Sequence, residues 1–86
     1  MIYKRVAGLP WQIIDESAVI IDPKNNRVHE LNLVASYIWQ KFDGQKSDQD
    51  ILQSVEQSFE SIGDNMNEDF KELCSNLLKE GLIECL

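Results

Sequence analysis

VHELNLVASYIWQKFDG, residues 28–44, is the stretch that decides the fold. A short segment ending at Leu31 runs directly into a predicted helix, because Asn32 is a preferred N-cap residue. Apolar residues then recur every three or four positions, which is the pattern of a helix with one buried face. An Asp-Gly pair at 43–44 predicts that the helix stops there. The buried face is predicted to comprise Val34, Ala35, Ile38, Trp39 and Phe42.

Three short strands are predicted upstream of this helix, after an extended lead-in over residues 1–10. The first two are Trp11–Asp15 and Ala18–Asp22, separated by a turn at Glu16-Ser17. The third, Arg27–Leu31, follows a Pro-Lys-Asn-Asn turn in which asparagine tolerates a left-handed conformation. Such tight connections predict an antiparallel meander.

Two more helices are predicted downstream. Ser47 and Asp50 form a capping-box pattern before a buried stripe of Ile51, Leu52, Val55 and Phe59. A loop is expected over Ser61–Met66, and Asn67 is expected to cap the third helix. Its apolar positions are Phe70, Leu73, Cys74, Leu77 and Leu78, and Gly81 is expected to end it before Leu82-Ile83 packs back on the core. The order predicts one winged-helix-like α+β domain over residues 1–86.

Charge and composition argue against nucleic acid and membrane partners. The net charge is −7, and from residue 43 onward eleven acidic residues face three lysines. The third helix carries four carboxylates, two lysines and no arginine, which is unsuited to a recognition helix. No apolar run is long enough to span a bilayer, and the first residues lack a signal-peptide core. A cytoplasmic protein is the expectation.

Catalytic, metal and cofactor motifs are not found in the sequence. His29 is the only histidine, and no serine or cysteine is placed to pair with it. The four glycines are scattered at turns and helix ends, so they form no phosphate-binding loop. Cys74 and Cys85 are predicted to be free thiols, with Cys74 in the core, and their spacing is not that of a zinc site. We therefore expect no enzyme, no metal and no cofactor.

The third strand, Arg27–Leu31, is the candidate binding element. It has no predicted partner downstream, and an edge strand offers free backbone groups to a guest peptide. The third helix is the expected second wall of the groove, although its periodicity also allows its leucines to be core residues. Lys24, Arg27 and Lys79 could meet acidic residues of the guest. The helix positions expected at the groove are Leu73, Asn76, Leu77 and Glu80.

The segments HELNLVASYIWQKFDGQKSDQDI and FKELCSNLLKEGLIE resemble the PqqD family, which includes the recognition elements for precursors of ribosomally made, modified peptides. The resemblance covers roughly residues 11–84. It implies a non-catalytic protein that binds a precursor's leader segment and presents it to a radical SAM protein or a leader peptidase. It also implies a groove in which Val28, His29, Glu30 and Leu31 face Leu73, Asn76, Leu77 and Glu80.

Two alternatives remain open from the sequence. One is a small winged-helix regulator that binds nucleic acid. The other is a structural subunit that forms a homodimer through the same open strand edge. The anionic third helix argues against the first alternative.

Overall fold

The computed structural model describes residues 1–59 and 66–86, which form two three-stranded antiparallel sheets and three helices. The α+β prediction is therefore confirmed, with one more sheet than expected. The strands are β1 (Ile2–Arg5), β2 (Trp11–Ile14), β3 (Ser17–Asp22), β4 (Arg27–Glu30), β5 (Asp43–Ser47) and β6 (Ile83–Cys85). The helices are α1 (Leu33–Lys41), α2 (Asp48–Ser58) and α3 (Met66–Lys79).

The predicted meander is confirmed as the sheet of order β2-β3-β4. Its first turn lies at Asp15-Glu16, which have φ values of 50° and 69°, and not at Glu16-Ser17. Ser17 is already part of the sheet, where it pairs with Ile14. Asn26 has a φ of 54°, so the turn before β4 uses the left-handed conformation that asparagine tolerates.

The second sheet, of order β5-β1-β6, was not predicted. Residues 1–10 are not a simple lead-in, because β1 is the central strand of this sheet and its Tyr3 is buried. The Asp43-Gly44 pair ends α1 as expected, but it also begins β5. Gly44 has a φ of 81°, and an added Cβ would lie 3.3 Å from the Leu86 side chain. Glycine therefore fits this position for two separate reasons.

Helix boundaries follow the predicted caps except at the start of α3. The Asn32 Oδ1 accepts a hydrogen bond from the Ala35 N–H at 2.8 Å, and Ser47 and Asp50 form the predicted capping box. Asn67 lies inside α3, which includes Met66, so the predicted cap at Asn67 is wrong. The rest of the loop expected over Ser61–Met66 lies outside the described residues. None of the described helices is long and apolar enough to cross a membrane.

One core lies among the sheets and helices, and it is built around the predicted α1 face. Trp39 and Phe42 are fully buried, and Cys74 is buried as a free thiol. Leu73 is only partly buried, and Leu78 is 38% exposed. The other core residues are Tyr3, Ala18, Ile20, Ile38, Ile51, Val55, Phe70, Leu77, Leu82 and Ile83.

Candidate functional site

The strand β4 lies at the edge of its sheet, as the sequence predicted. It pairs with β3 on one side, and in the described residues no strand pairs with its other side. An edge of this kind presents unsatisfied N–H and C=O groups that can bind another chain. β4 is therefore the first component of the candidate site.

The backbone of β4 alternates between groups that bind β3 and groups that face outward. The Leu31 N–H donates to the Ala18 carbonyl at 2.9 Å, so the backbone N–H of Leu31 faces β3. In an antiparallel ladder, hydrogen-bonded and non-bonded pairs alternate. By this alternation and the observed register, His29 and Arg27 also bond toward β3. The outward N–H and C=O groups belong to Val28 and Glu30.

Side chains alternate along β4 in the same way. Val28 is 68% exposed and lies across from Ile21, which is 47% exposed, on the outer face of the sheet. Arg27, His29 and Leu31 point to the opposite face, since successive side chains of a strand take opposite sides. The five predicted strand residues therefore divide into an outer pair and an inner triplet.

A buried serine that sequence reasoning missed anchors the end of β4. The Ser36 Oγ accepts a hydrogen bond from the Ala18 N–H at 2.7 Å and donates one to the Leu31 carbonyl at 3.0 Å. One hydroxyl thus connects β3, the end of β4 and the first turn of α1. The available signal was a single small polar residue among the apolar positions of α1.

The predicted α3 residues have different surroundings. Leu77 is buried in the core and Leu73 packs partly against it, whereas Asn76 is exposed. Only Glu80, just after α3, makes a hydrogen bond to β4: the Arg27 Nη1 donates to both of its carboxylate oxygens at 3.3–3.4 Å. Both partners are solvent-accessible, so this ion pair stabilises the protein by at most about 1 kcal/mol. Arg27, which we expected to meet a guest, already has an acidic partner in the protein.

A cluster of ionisable side chains lies on the inner face of β4. Asp22 of β3 is buried and accepts a hydrogen bond from the Asn25 Nδ2 at 2.8 Å, which lowers the pKa of its carboxyl group. The His29 Nε2 is 3.9 Å from the Asp22 Oδ2, too far for a hydrogen bond. In the described part of the chain, no hydrogen bond joins His29 to a serine or cysteine. This geometry offers no activated nucleophile.

Comparisons with known proteins agree with the geometry of the fold. A solved structure described as "TbiB1 in Complex with the TbiA(beta) Leader Peptide" has a TM-score of 0.82 to this chain, with 18% identity over 96% of each chain. At that identity the match shows a shared fold. No curated protein matches the sequence. A family model described as coenzyme PQQ synthesis protein D (PqqD) matches residues 17–83, from the start of β3 to the start of β6. This match spans most of the chain, which therefore belongs to the PqqD family.

Proposed function

We propose that this protein binds the leader segment of a ribosomally synthesised precursor peptide and presents it to a modifying enzyme, without catalysing a reaction itself. The observation that carries this proposal is the open edge of β4, where the backbone groups of Val28 and Glu30 face outward. Membership of the PqqD family supports it, as does the likeness to a structure whose description names a leader peptide. The enzyme expected from the family resemblance is a radical SAM protein or a leader peptidase.

The binding mode is the addition of one strand to the meander sheet. A guest strand beside β4 can donate to and accept from Val28 and Glu30, which gives up to four main-chain hydrogen bonds. Affinity from main-chain bonds does not depend on the guest's side chains. Specificity then comes from side chains of this protein that flank the added strand.

The second wall of the groove is formed by α3 and the residue that follows it. Leu73 provides partly buried apolar surface, and Asn76 provides an exposed amide. Glu80 provides a carboxylate next to Arg27. Leu77 supports this wall from the core. A guest that inserts between β4 and Glu80 exchanges one exposed ion pair for its own contacts, which costs little.

Presentation follows from tethering. A flexible leader loses conformational entropy when it pairs with β4, and that cost limits its affinity. Once it is bound, the core segment is held close to any enzyme that binds this protein. Its effective concentration at that enzyme is then set by the length of the linking segment.

The test is a calorimetric titration of the full chain with a precursor peptide encoded beside its gene. We expect saturable one-to-one binding that survives scrambling of the core segment and is lost when the leader is scrambled. A folded protein that binds no such peptide would contradict the proposal. A concentration-dependent dimer that buries β4 in place of a peptide would favour the structural homodimer, and a salt-dependent complex with duplex DNA would favour the regulator.

A further inference from the structure

Three potential metal ligands meet beneath the edge strand. Asp22 comes from β3, His29 from β4 and Glu80 from the residue after α3. One ligand atom of each lies within 4.8 Å of the other two, and across residues 1–59 and 66–86 this is the one such group of His, Cys, Asp and Glu. We propose that Asp22, His29 and Glu80 form a binding site for a divalent transition-metal ion of the zinc type.

The strongest support is the unsatisfied nitrogen of His29. Its Nε2 is buried and has no hydrogen-bond partner within residues 1–59 and 66–86, although it lies beside the buried carboxylate of Asp22. Leaving a buried polar atom unpaired costs free energy. A metal ion between the two side chains would accept the nitrogen lone pair and one carboxylate oxygen, which removes that cost.

The types of ligand, and the hydrogen bond that orients Asp22, fit zinc. One imidazole and two carboxylates leave a fourth tetrahedral position for water, and they favour zinc over magnesium or calcium. Tetrahedral zinc needs ligand atoms about 3.3 Å apart, so atoms of the cluster that lie up to 4.8 Å apart must approach by up to about 1.5 Å. Glu80 lies at a helix end and is partly exposed, which lets its carboxylate move. Asn25 holds the Asp22 carboxylate in place, as outer hydrogen-bond donors do at metal sites.

Arg27 competes with the metal for Glu80. Its guanidinium donates to both Glu80 oxygens, so a metal ion that takes one of them must break part of this ion pair. The pair is solvent-accessible and weak, so binding remains possible. Removal of Arg27 should therefore strengthen metal binding, in the opposite direction to removal of a ligand.

The first experiment is a calorimetric titration of the full chain with zinc chloride, without any peptide. All proteins carry Cys85→Ser, because an exposed thiol binds zinc independently. Burial raises the pKa of Cys74 to about 12, so its thiol stays protonated. We expect one saturable site, no binding of magnesium chloride, loss of zinc binding in His29→Ala and in Glu80→Gln, and up to about fivefold tighter binding in Arg27→Ala.

Glu80→Gln keeps the size of a partly exposed side chain, so it tests the site even if His29→Ala affects folding. The absence of zinc binding overturns the proposal. Binding that survives Glu80→Gln, or that weakens in Arg27→Ala, also overturns it. Because no peptide is present, either result leaves the proposed leader binding untouched.

Discussion

At the scale of single residues, the direction of each backbone N–H in β4 decides which substitutions test peptide binding. Val28 has its N–H outward, so Val28→Pro should remove a donor for the guest while leaving the ladder to β3 intact. We expect leader affinity to fall at least about tenfold, from the lost hydrogen bond and the steric effect of the ring. Titration calorimetry measures this effect, and circular dichroism confirms the fold.

Val28→Ala is the matched control for this substitution, because it shortens the side chain and keeps the N–H. It should retain most of the affinity. Leu31→Pro tests a different property, since the Leu31 N–H donates to Ala18 within the sheet. Leu31→Pro should therefore lower the free energy of unfolding. Unchanged leader affinity in folded Val28→Pro would contradict the proposed binding at the edge of β4.

Asp43 illustrates how one carboxylate makes stability depend on pH. The Lys46 ammonium at 2.7 Å, together with the N–H groups of Gln45 and Lys46, holds the pKa of Asp43 well below its ordinary value of 3.8. This stabilisation is present above pH 3.8 and is lost as the pH falls toward the folded-state pKa, because the unfolded carboxyl binds its proton first.

The free energy of unfolding should therefore decrease on acidification below about pH 4, and the decrease should be shallower in Asp43→Asn. Urea titrations at a series of pH values give the free energy of unfolding of each protein, and therefore its slope against pH. Asp15→Asn, at an exposed turn position, serves as the control. Equal slopes for Asp43→Asn and the parent protein would show that the Lys46 contact contributes nothing.

At the scale of elements, Ser36 is the connection that holds the edge strand in place. Ser36→Ala would leave the Ala18 N–H and the Leu31 carbonyl without their shared hydroxyl partner. We expect a loss of about 1–3 kcal/mol in the free energy of unfolding, as for a buried group left unpaired. Urea denaturation measures this loss. Ser75→Ala, on the exposed surface of α3, should change stability little, and an equal effect of both variants would contradict this role.

Elements with local signals could be predicted from the sequence, and elements that depend on distant pairing could not. The caps at Asn32 and Ser47 and the left-handed Asn26 act within a few residues, so α1, α2 and the meander were predicted. The second sheet joins Tyr3 to Cys85 and Ile2 to Ser47, and its strands are three to five residues long. No short-range pattern specifies such pairs.

The candidate site divides in the same way. The open edge of β4 was predictable because nothing downstream resembled a partner strand. The inward position of Leu77 was left open, since helix periodicity shows which residues share a face but not what covers that face. The cluster of Asp22, His29 and Glu80 has no sequence motif. Asp22 and His29 are seven residues apart, His29 and Glu80 are fifty-one residues apart, and the three come together only through the fold.

At the scale of the whole molecule, the two sheets are connected through Arg5 of β1. Its Nη1 donates to the carbonyls of Trp39 and Gln40 at the end of α1, at 3.0 and 2.9 Å. Its guanidinium carbon lies 5.2 Å from the centroid of the Trp11 ring, which belongs to the meander sheet. The positive charge also stabilises the carbonyl end of the helix. One side chain of the second sheet thus contacts both the meander sheet and α1.

Arg5→Met should lower the free energy of unfolding by about 1.5–3 kcal/mol, because it keeps much of the apolar contact but removes charge-assisted hydrogen bonds. Lys4→Met is the matched control, since Lys4 is the exposed neighbour on the same strand and should cost much less. Urea denaturation compares the two. Arg5 is remote in sequence from β4 and is not part of the proposed groove, so leader affinity should be unchanged in the folded fraction. A loss in Arg5→Met no larger than in Lys4→Met would show that the sheets are held together by the apolar core alone.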